Sequence, residues 1–247
     1  MTIKTASVLI IGNEILSGRT HDKNGNWIAI QLTEAGIQLK EIRVVPDNED
    51  EIIGALNTLK SKYDYVFTTG GIGPTHDDIT AECVAKAFGR ELIMHRQAYD
   101  VLFAHYGKED FNEARQKMAM MPSGDDVKLI DNPVSAAPGF NIGNVYVMAG
   151  VPRIMQSMMD QILPTLQSGD PVLSVTIASP LSEGVIAIAL GDLQKEFSEV
   201  DIGSYPYFRK GDFGVSVVLR STNKKRLNEA KDTLEKMLEN MNQQIKE

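Results

Sequence analysis

Residues Phe67-Thr68-Thr69-Gly70-Gly71-Ile72-Gly73-Pro74-Thr75-His76-Asp77-Asp78-Ile79-Thr80 decide the reading of this chain. The stretch begins where an apolar run through Tyr65 and Val66 ends, and it leads into a helical pattern. Three glycines within four residues let the backbone turn tightly and approach a ligand with its amides bare. Two carboxylates follow at the mouth of the next helix, where free N–H groups favour anions. A phosphate seat beside acids that handle metal or protons suits phosphate-ester chemistry. A plain strand-to-helix turn capped by an aspartate is the alternative. No Gly-Lys-Ser/Thr follows the glycines, so a P-loop is excluded, and the spacing departs from G-x-G-x-x-G, which argues against a dinucleotide fingerprint.

Outward from this loop, strand-like runs alternate with helical periodicity. Residues 7–11 read as a buried strand, 27–35 as a helix ending at Gly36, and 37–45 as a second strand. Ile52, Ile53, Leu56 and Leu59 recur at helical spacing, residues 65–68 form a third strand, and Ile79 to Phe88 line a helix that Gly89 ends. The βαβαβα order predicts an α/β protein with a parallel or mixed sheet between two helical layers. Ligands of such sheets sit beyond the carboxyl ends of the strands. Glu14, Asp47 and the glycine loop each follow a strand, so they are expected to converge on one edge. Residues 97–121 read as mostly helical with a break at Gly107, 122–143 as loop-rich, 144–148 as a strand and 152–166 as its helix. Beyond Ser168-Gly169-Asp170-Pro171 the texture changes. A β-α-β-β-α order over 172–247 predicts a small α+β lobe, following a first domain over 1–169.

Composition narrows the function. With 247 residues, 43% hydrophobic and 23% charged, the chain is an ordinary globular one with room for one large or two modest domains. A net charge of −8 argues against general nucleic-acid affinity, since phosphate backbones demand clustered Lys and Arg. The second lobe matches this, with ten Lys/Arg against eleven Asp/Glu, a net of −1. Its Gly211-Asp212-Phe213-Gly214 fits the G-x-x-G of RNA-binding KH domains in form only and reads as a hairpin turn. The single cysteine, Cys83, is expected in the core. No apolar run approaches the ~20 residues of a membrane span, and no secretory segment is evident, so no membrane association and a cytoplasmic address are expected. His21, His76, His95 and His105 show no pair at metal-ligand spacing, which argues against a histidine-built zinc site.

The glycine loop resembles that of the molybdopterin-binding fold of molybdenum-cofactor biosynthesis proteins, the MoaB/Mog superfamily. That loop reads Thr-Gly-Gly-x-Gly, three variable residues, and an Arg-Asp or Asp-Asp pair. Four further segments resemble the competence/damage-inducible protein A (CinA) type within it. They are Ile11 to Gly18, Val44-Val45-Pro46-Asp47-Asn48, Asn132 to Phe140, and Ala149-Gly150-Val151-Pro152. The lobe beyond 172 resembles the KH-like middle domain of the same family, most clearly at Ile202 to Pro206 and Gly214 to Arg220.

The resemblance implies a ligand site built from Gly12, Ser17, Gly18, Asn24, Thr69, Gly70, Gly71, Gly73, Pro74, Thr75, Pro138, Gly139, Gly150 and Pro152. Asp78 matches the family's functional aspartate, and by position alone it serves equally as an N-cap for a helix from Ile79. Asp47 matches a second acid, with a turn partnered by Asn48 as its plain alternative. Asn24 is also a candidate helix cap. Asp77 stands where the cofactor enzymes commonly carry Arg, and Ile154 where the family commonly carries Glu. The implied activity is metal-dependent hydrolysis of a nucleoside diphosphate-linked molecule, of the ADP-ribose pyrophosphatase kind. Asp77 and Asp78 would hold Mg2+, Mn2+ or Co2+, the Gly70 to Gly73 amides the diphosphate, and Asp47 or Glu14 the water. The alternatives are a molybdopterin or pterin-phosphate binding module without turnover, and adenylyl transfer to molybdopterin, which Asp77 in place of Arg disfavours. A homo-oligomer, dimer or trimer, is expected. Full-length CinA-type proteins often carry a further domain that deamidates nicotinamide mononucleotide; it would need roughly 100–150 more residues, so no such activity is expected of this chain.

Overall fold

The computed structural model describes residues 4–167, 169–209 and 212–246. Residues 1–169 and 170–247 form two compact units. In chain order the first contains β1 (Lys4–Ile11), α1 (Asn13–Leu16), α2 (Asn24–Glu34), β2 (Ile37–Val45), α3 (Glu49–Lys62), β3 (Tyr65–Thr69) and α4 (Thr80–Ala87). It continues with β4 (Leu92–Met94), α5 (Arg96–Asp110), α6 (Glu113–Lys117), β5 (Met120–Pro122), β6 (Lys128–Ile130), β7 (Gly139–Ile142), β8 (Val145–Met148) and α7 (Pro152–Ile162).

Six of these strands form one sheet in the order β2-β1-β3-β8-β7-β6. β1, β2, β3 and β8 run parallel, and β7 is antiparallel to both β8 and β6. Alternation along β1 shows why its sequence is apolar without interruption from Val8 to Ile11. Leu9 and Ile11 enter one core with Ile52, Leu56 and Leu59 of α3 and Cys83 and Val84 of α4. Ala6, Val8 and Ile10 enter a second with Ile28 and Leu32 of α2 and Met155, Met158 and Met159 of α7. A strand buried on both faces has no polar side to alternate with. The unit is therefore a three-layer α/β fold with a mixed sheet.

Local signals set the helix ends. Asn48 caps α3 by accepting the Glu51 N–H at 3.2 Å, with acids in the first turn and Lys60 and Lys62 in the last. Pro152 opens α7. Gly107, at φ 72°, kinks α5 where the sequence places a break. Within the loop-rich segment 122–143 lie β6 and β7, three and four residues long. Two expectations are corrected. Met120 to Pro122 is strand, paired with β4, rather than the end of a helical stretch. The helix after the glycine loop begins at Thr80, not Ile79.

The second unit contains β9 (Leu173–Ser179), α8 (Glu183–Glu196), β10 (Asp201–Arg209), β11 (Asp212–Ser221) and α9 (Lys224–Lys246). Its antiparallel sheet has the order β10-β11-β9. Leu227, Ala230, Leu234 and Leu238 of α9 bury against Val215, Val217 and Leu219 of β11 and Ile186 and Leu190 of α8. Pairing of β10 with β11 reaches Arg209 opposite Asp212, so Asp212, Phe213 and Gly214 of the G-x-x-G stretch are strand residues; its Gly211 lies outside the described residues.

Cys83 is fully buried, and loss of solvent pushes its thiol up to about 12. Among the described residues no helix is long and apolar enough to cross a membrane.

Two carboxylates tie the first unit together and make its stability depend on pH. Asp64 accepts the Thr5 N–H at 2.9 Å, the Thr5 hydroxyl at 2.8 Å and the Lys4 ammonium at 3.0 Å, which together hold its carboxyl down at about 2. Glu41 accepts from Arg43 and from the Tyr63 hydroxyl and is likewise lowered to about 2. Carboxylates in the unfolded chain titrate near about 4. Each group therefore adds stability above that value and loses it as pH falls toward 2. Asp64→Asn should flatten the fall in urea midpoint between about pH 5 and about pH 2, relative to the unaltered protein.

Candidate functional site

The sheet order puts a topological switch between β1 and β3, because the crossover from β1 goes to β2 on one side and the chain then returns to β3 on the other. Beyond the carboxyl ends of β1, β2, β3 and β8 lies an open cleft of about 510 Å³. Glu14, Asp47, Asp77 and Asp78 all line it, with Gly70, Gly71, Ile72, Gly73 and Pro74 along one wall and Ala149, Gly150, Val151 and Pro152 along another. The expected convergence of the three post-strand segments is thus present. Tyr106 and Met118 line the same cleft; neither stands in a motif, and only tertiary structure brings them there. No Lys, Arg or His is among the lining residues.

The glycines are dictated by close approaches. Gly70, at φ 105°, passes Ile11 so tightly that a Cβ would lie 2.2 Å from the Ile11 carbonyl oxygen. Gly71, at φ 67°, leaves room for Thr80, whose hydroxyl donates to the Gly70 carbonyl at 2.9 Å while its amide donates to the Gly71 carbonyl at 3.0 Å. The Gly70 amide is spent on the Met148 carbonyl, 3.2 Å away, which extends the β3–β8 pairing. This corrects the expectation that all amides from Gly70 to Gly73 face a ligand. Among the described residues, the amides of Gly71, Ile72 and Gly73 donate to no protein group.

Asp78 is not a helix cap. Ile79 occupies the cap position of α4, and one Asp78 oxygen instead accepts the Thr75 N–H at 2.8 Å and the Thr75 hydroxyl, closing a four-residue turn beneath Gly73. Asp77 is more exposed. Hydrogen bonding from Thr75 holds its carboxyl below the usual range, helped by His76 and Lys117. Asp47 receives the Asn13 N–H at 2.8 Å, tying the loops after β1 and β2, whereas Asn48 faces the other way to cap α3. Glu14 folds back over Gly12, where a Cβ would lie 2.6 Å from its carboxylate. Among the described residues that carboxylate has no hydrogen-bond partner.

Other expected ligand contacts lie elsewhere. Thr69 is buried, and its hydroxyl has no partner among the described residues. Asn24 does not cap α2; Asp22 accepts the Asn24 and Gly25 amides, and the Asn24 side chain donates to the Gly150 carbonyl at 2.8 Å. Gly12, Ser17, Gly18 and Thr75 are not among the residues that line the cleft. Gly139 belongs to β7, where a Cβ would lie 2.3 Å from the Val147 carbonyl oxygen, so strand pairing requires the glycine. Pro138 lines a smaller cavity of about 40 Å³ that shares Gly71, Gly73 and Asp78 with the main cleft. Among the described residues no group of three or more His, Cys, Asp or Glu is gathered tightly enough to hold a metal ion by itself.

A family model described as a probable molybdopterin binding domain matches residues 7–168, and one described as FAD synthase, middle domain, matches 171–245. A protein of Archaeoglobus fulgidus is 36% identical over 199 residues, covering 81% of this chain and 84% of that protein. A probable FAD synthase of Caenorhabditis briggsae is 30% identical over 260 residues; the match covers 95% of this chain but 50% of that protein. The crystal structure of the protein CinA from Thermoplasma acidophilum superposes with a TM-score of 0.62 at 37% identity, over 66% of this chain and 98% of that one.

The glycine geometry is testable by contrast. Gly71→Ala drives a methyl group into the Thr80 hydroxyl at a positive φ and should cost about 1–3 kcal/mol. Gly54, inside α3, has nothing within 4 Å of the place a methyl group would take, so Gly54→Ala should stabilise by about 0.5–1 kcal/mol. Denaturant midpoints of the two variants should move in opposite directions.

Proposed function

The chain belongs to the molybdopterin-binding-domain family and, within it, to the CinA type, and on that premise we propose that it hydrolyses the diphosphate of a nucleoside diphosphate-linked small molecule with a divalent metal ion. The observation that carries this reading is the charge of the cleft. Four carboxylates line it and no Lys or Arg does, while the Gly71, Ile72 and Gly73 amides remain free to donate. An anionic phosphate entering such a cleft needs a cation beside it, and Lys117, which lines the smaller adjoining cavity, is engaged by the Thr75 carbonyl.

The acids suit an ion that protein completes only in part. Mg2+ and similar cations take one or two carboxylates and fill their remaining positions with substrate phosphate oxygens and water. Asp78, with one oxygen committed to Thr75, and the neighbouring Asp77 would hold such an ion. When bound, it would offset phosphate charge. The free amides of the loop would receive phosphate oxygens and fix the chain of the substrate. Asp47 is engaged by the Asn13 amide, so Glu14 is the freer base. A water that gives its proton to Glu14 would attack phosphorus, and the bridging P–O bond would break. From ADP-ribose the products are AMP and ribose 5-phosphate. The similarity to a probable FAD synthase fits the same substrate class, since FAD also carries a diphosphate between two organic groups.

One observation favours a second reading, binding of molybdopterin or a related pterin phosphate without turnover: the free amides need no metal, and no three-acid cluster is present among the described residues. Calorimetry with and without EDTA separates the two, because amide-only binding survives chelation.

Purified protein incubated with ADP-ribose and Mg2+, Mn2+ or Co2+ should release AMP, and EDTA should stop it; no AMP with any of the three would overturn the hydrolase reading. Asp78→Asn keeps an oxygen for the Thr75 donors and removes the charge. It should reduce AMP release by about 100-fold or more with an unchanged denaturation midpoint.

A further inference from the structure

The geometry points to Tyr106 as the residue that reads the organic part of the ligand, by stacking a planar heteroaromatic ring system against its phenol ring. This rests on the proposed phosphate seat at Gly71 to Gly73, since both line one cleft. Tyr106 is the sole aromatic side chain among the lining residues. It is half-buried, and its ring is held from several sides. The Arg115 guanidinium lies 4.3 Å from the ring centroid. Phe111 runs nearly parallel at 6.4 Å and His105 packs edge-on at 4.8 Å. Arg115 is itself fixed, donating to the Asp110 carbonyl.

A ring locked this way loses little freedom when a ligand stacks on it, which is why tyrosine with two side-chain torsions makes an efficient recognition surface. Gly107, directly after it, breaks α5 at φ 72° and turns the chain toward α6, so that Arg115 comes back to the ring. Packing against Phe111 and the first unit's core accounts for part of the ring, and Tyr106 also belongs to a cleft wall shared with bare amides. Stacking is tolerant of which base is offered, because each presents a π face. A purine, a pterin or a flavin would satisfy Tyr106 equally, and specificity among them would come from other groups.

The test uses adenosine monophosphate and inorganic pyrophosphate, each with Mg2+, titrated calorimetrically into the unaltered protein, Tyr106→Phe and Tyr106→Leu. The phenylalanine variant keeps the ring and should hold AMP as the unaltered protein does. The leucine variant keeps apolar bulk and should lose AMP affinity by about fivefold or more, while pyrophosphate binding stays the same in all three. If pyrophosphate does not bind but AMP still depends on the ring, the phosphate seat fails and the role of Tyr106 stands. AMP affinity unchanged in Tyr106→Leu overturns the inference. So does failure of AMP to bind the unaltered protein, or an equal loss of AMP and pyrophosphate in the leucine variant.

Discussion

Gly70 has no room for a side chain on either flank, and the site depends on that crowding. A methyl group there would meet the Ile11 carbonyl at 2.2 Å, and one on Gly150 would meet the Gly70 Cα at 3.2 Å. The loops after β1, β3 and β8 therefore touch through backbone, not through side chains. Backbone contacts hold a fixed spacing because peptide geometry has few soft torsions. The Gly70 amide bonds to Met148 and its carbonyl accepts from Thr80, so the turn is clamped at both polar groups before the free amides of Gly71 to Gly73 begin. Rigidity at Gly70 is what allows the next three residues to stay bare without collapsing.

Around this clamp the acids divide into two kinds. Asp47 spends an oxygen on the Asn13 amide of a neighbouring loop and Asp78 on the Thr75 amide of its own turn, so they shape the cleft as well as charge it. Glu14 and Asp77 are tied less, Glu14 by nothing but its fold over Gly12 and Asp77 by the His76 ring nitrogen 3.9 Å away. Removing charge from the first pair can be done with an isosteric amide; shortening them would open the loops they close.

Much of this was legible beforehand. The continuous apolar run of β1, the break at Gly107 and the periodicity of α9 all reflect burial that a single element imposes on its own sequence. The convergence of Glu14, Asp47 and the glycine loop also followed from strand order. What escaped was set by partners far along the chain. β6 and β7 are too short for a period to show, and Gly139 reads as a loop residue although it faces the Val147 carbonyl across a strand pair. Asn24 looked like a cap because its type favours caps, yet Lys23 stands at the cap position, Asp22 accepts the first amides, and Asn24 reaches 126 residues ahead to Gly150. Tyr106 carries no local signature at all. The fate of each amide in the glycine loop likewise depends on β8, which no reading of the loop itself contains.

Cys83 carries a practical consequence. It is the chain's one cysteine, sealed in the core between α4 and the sheet with its thiol driven up to about 12. At neutral pH almost none of it is thiolate, which is the form that alkylating reagents and peroxide attack. The native fold is thus chemically silent toward such reagents. A cysteine introduced at any exposed position becomes the sole addressable thiol, and a dye or spin label can be placed at the cleft rim without first deleting a native residue. Reaction of Cys83 itself then reports opening of the core, turning one buried sulfur into a clock for unfolding.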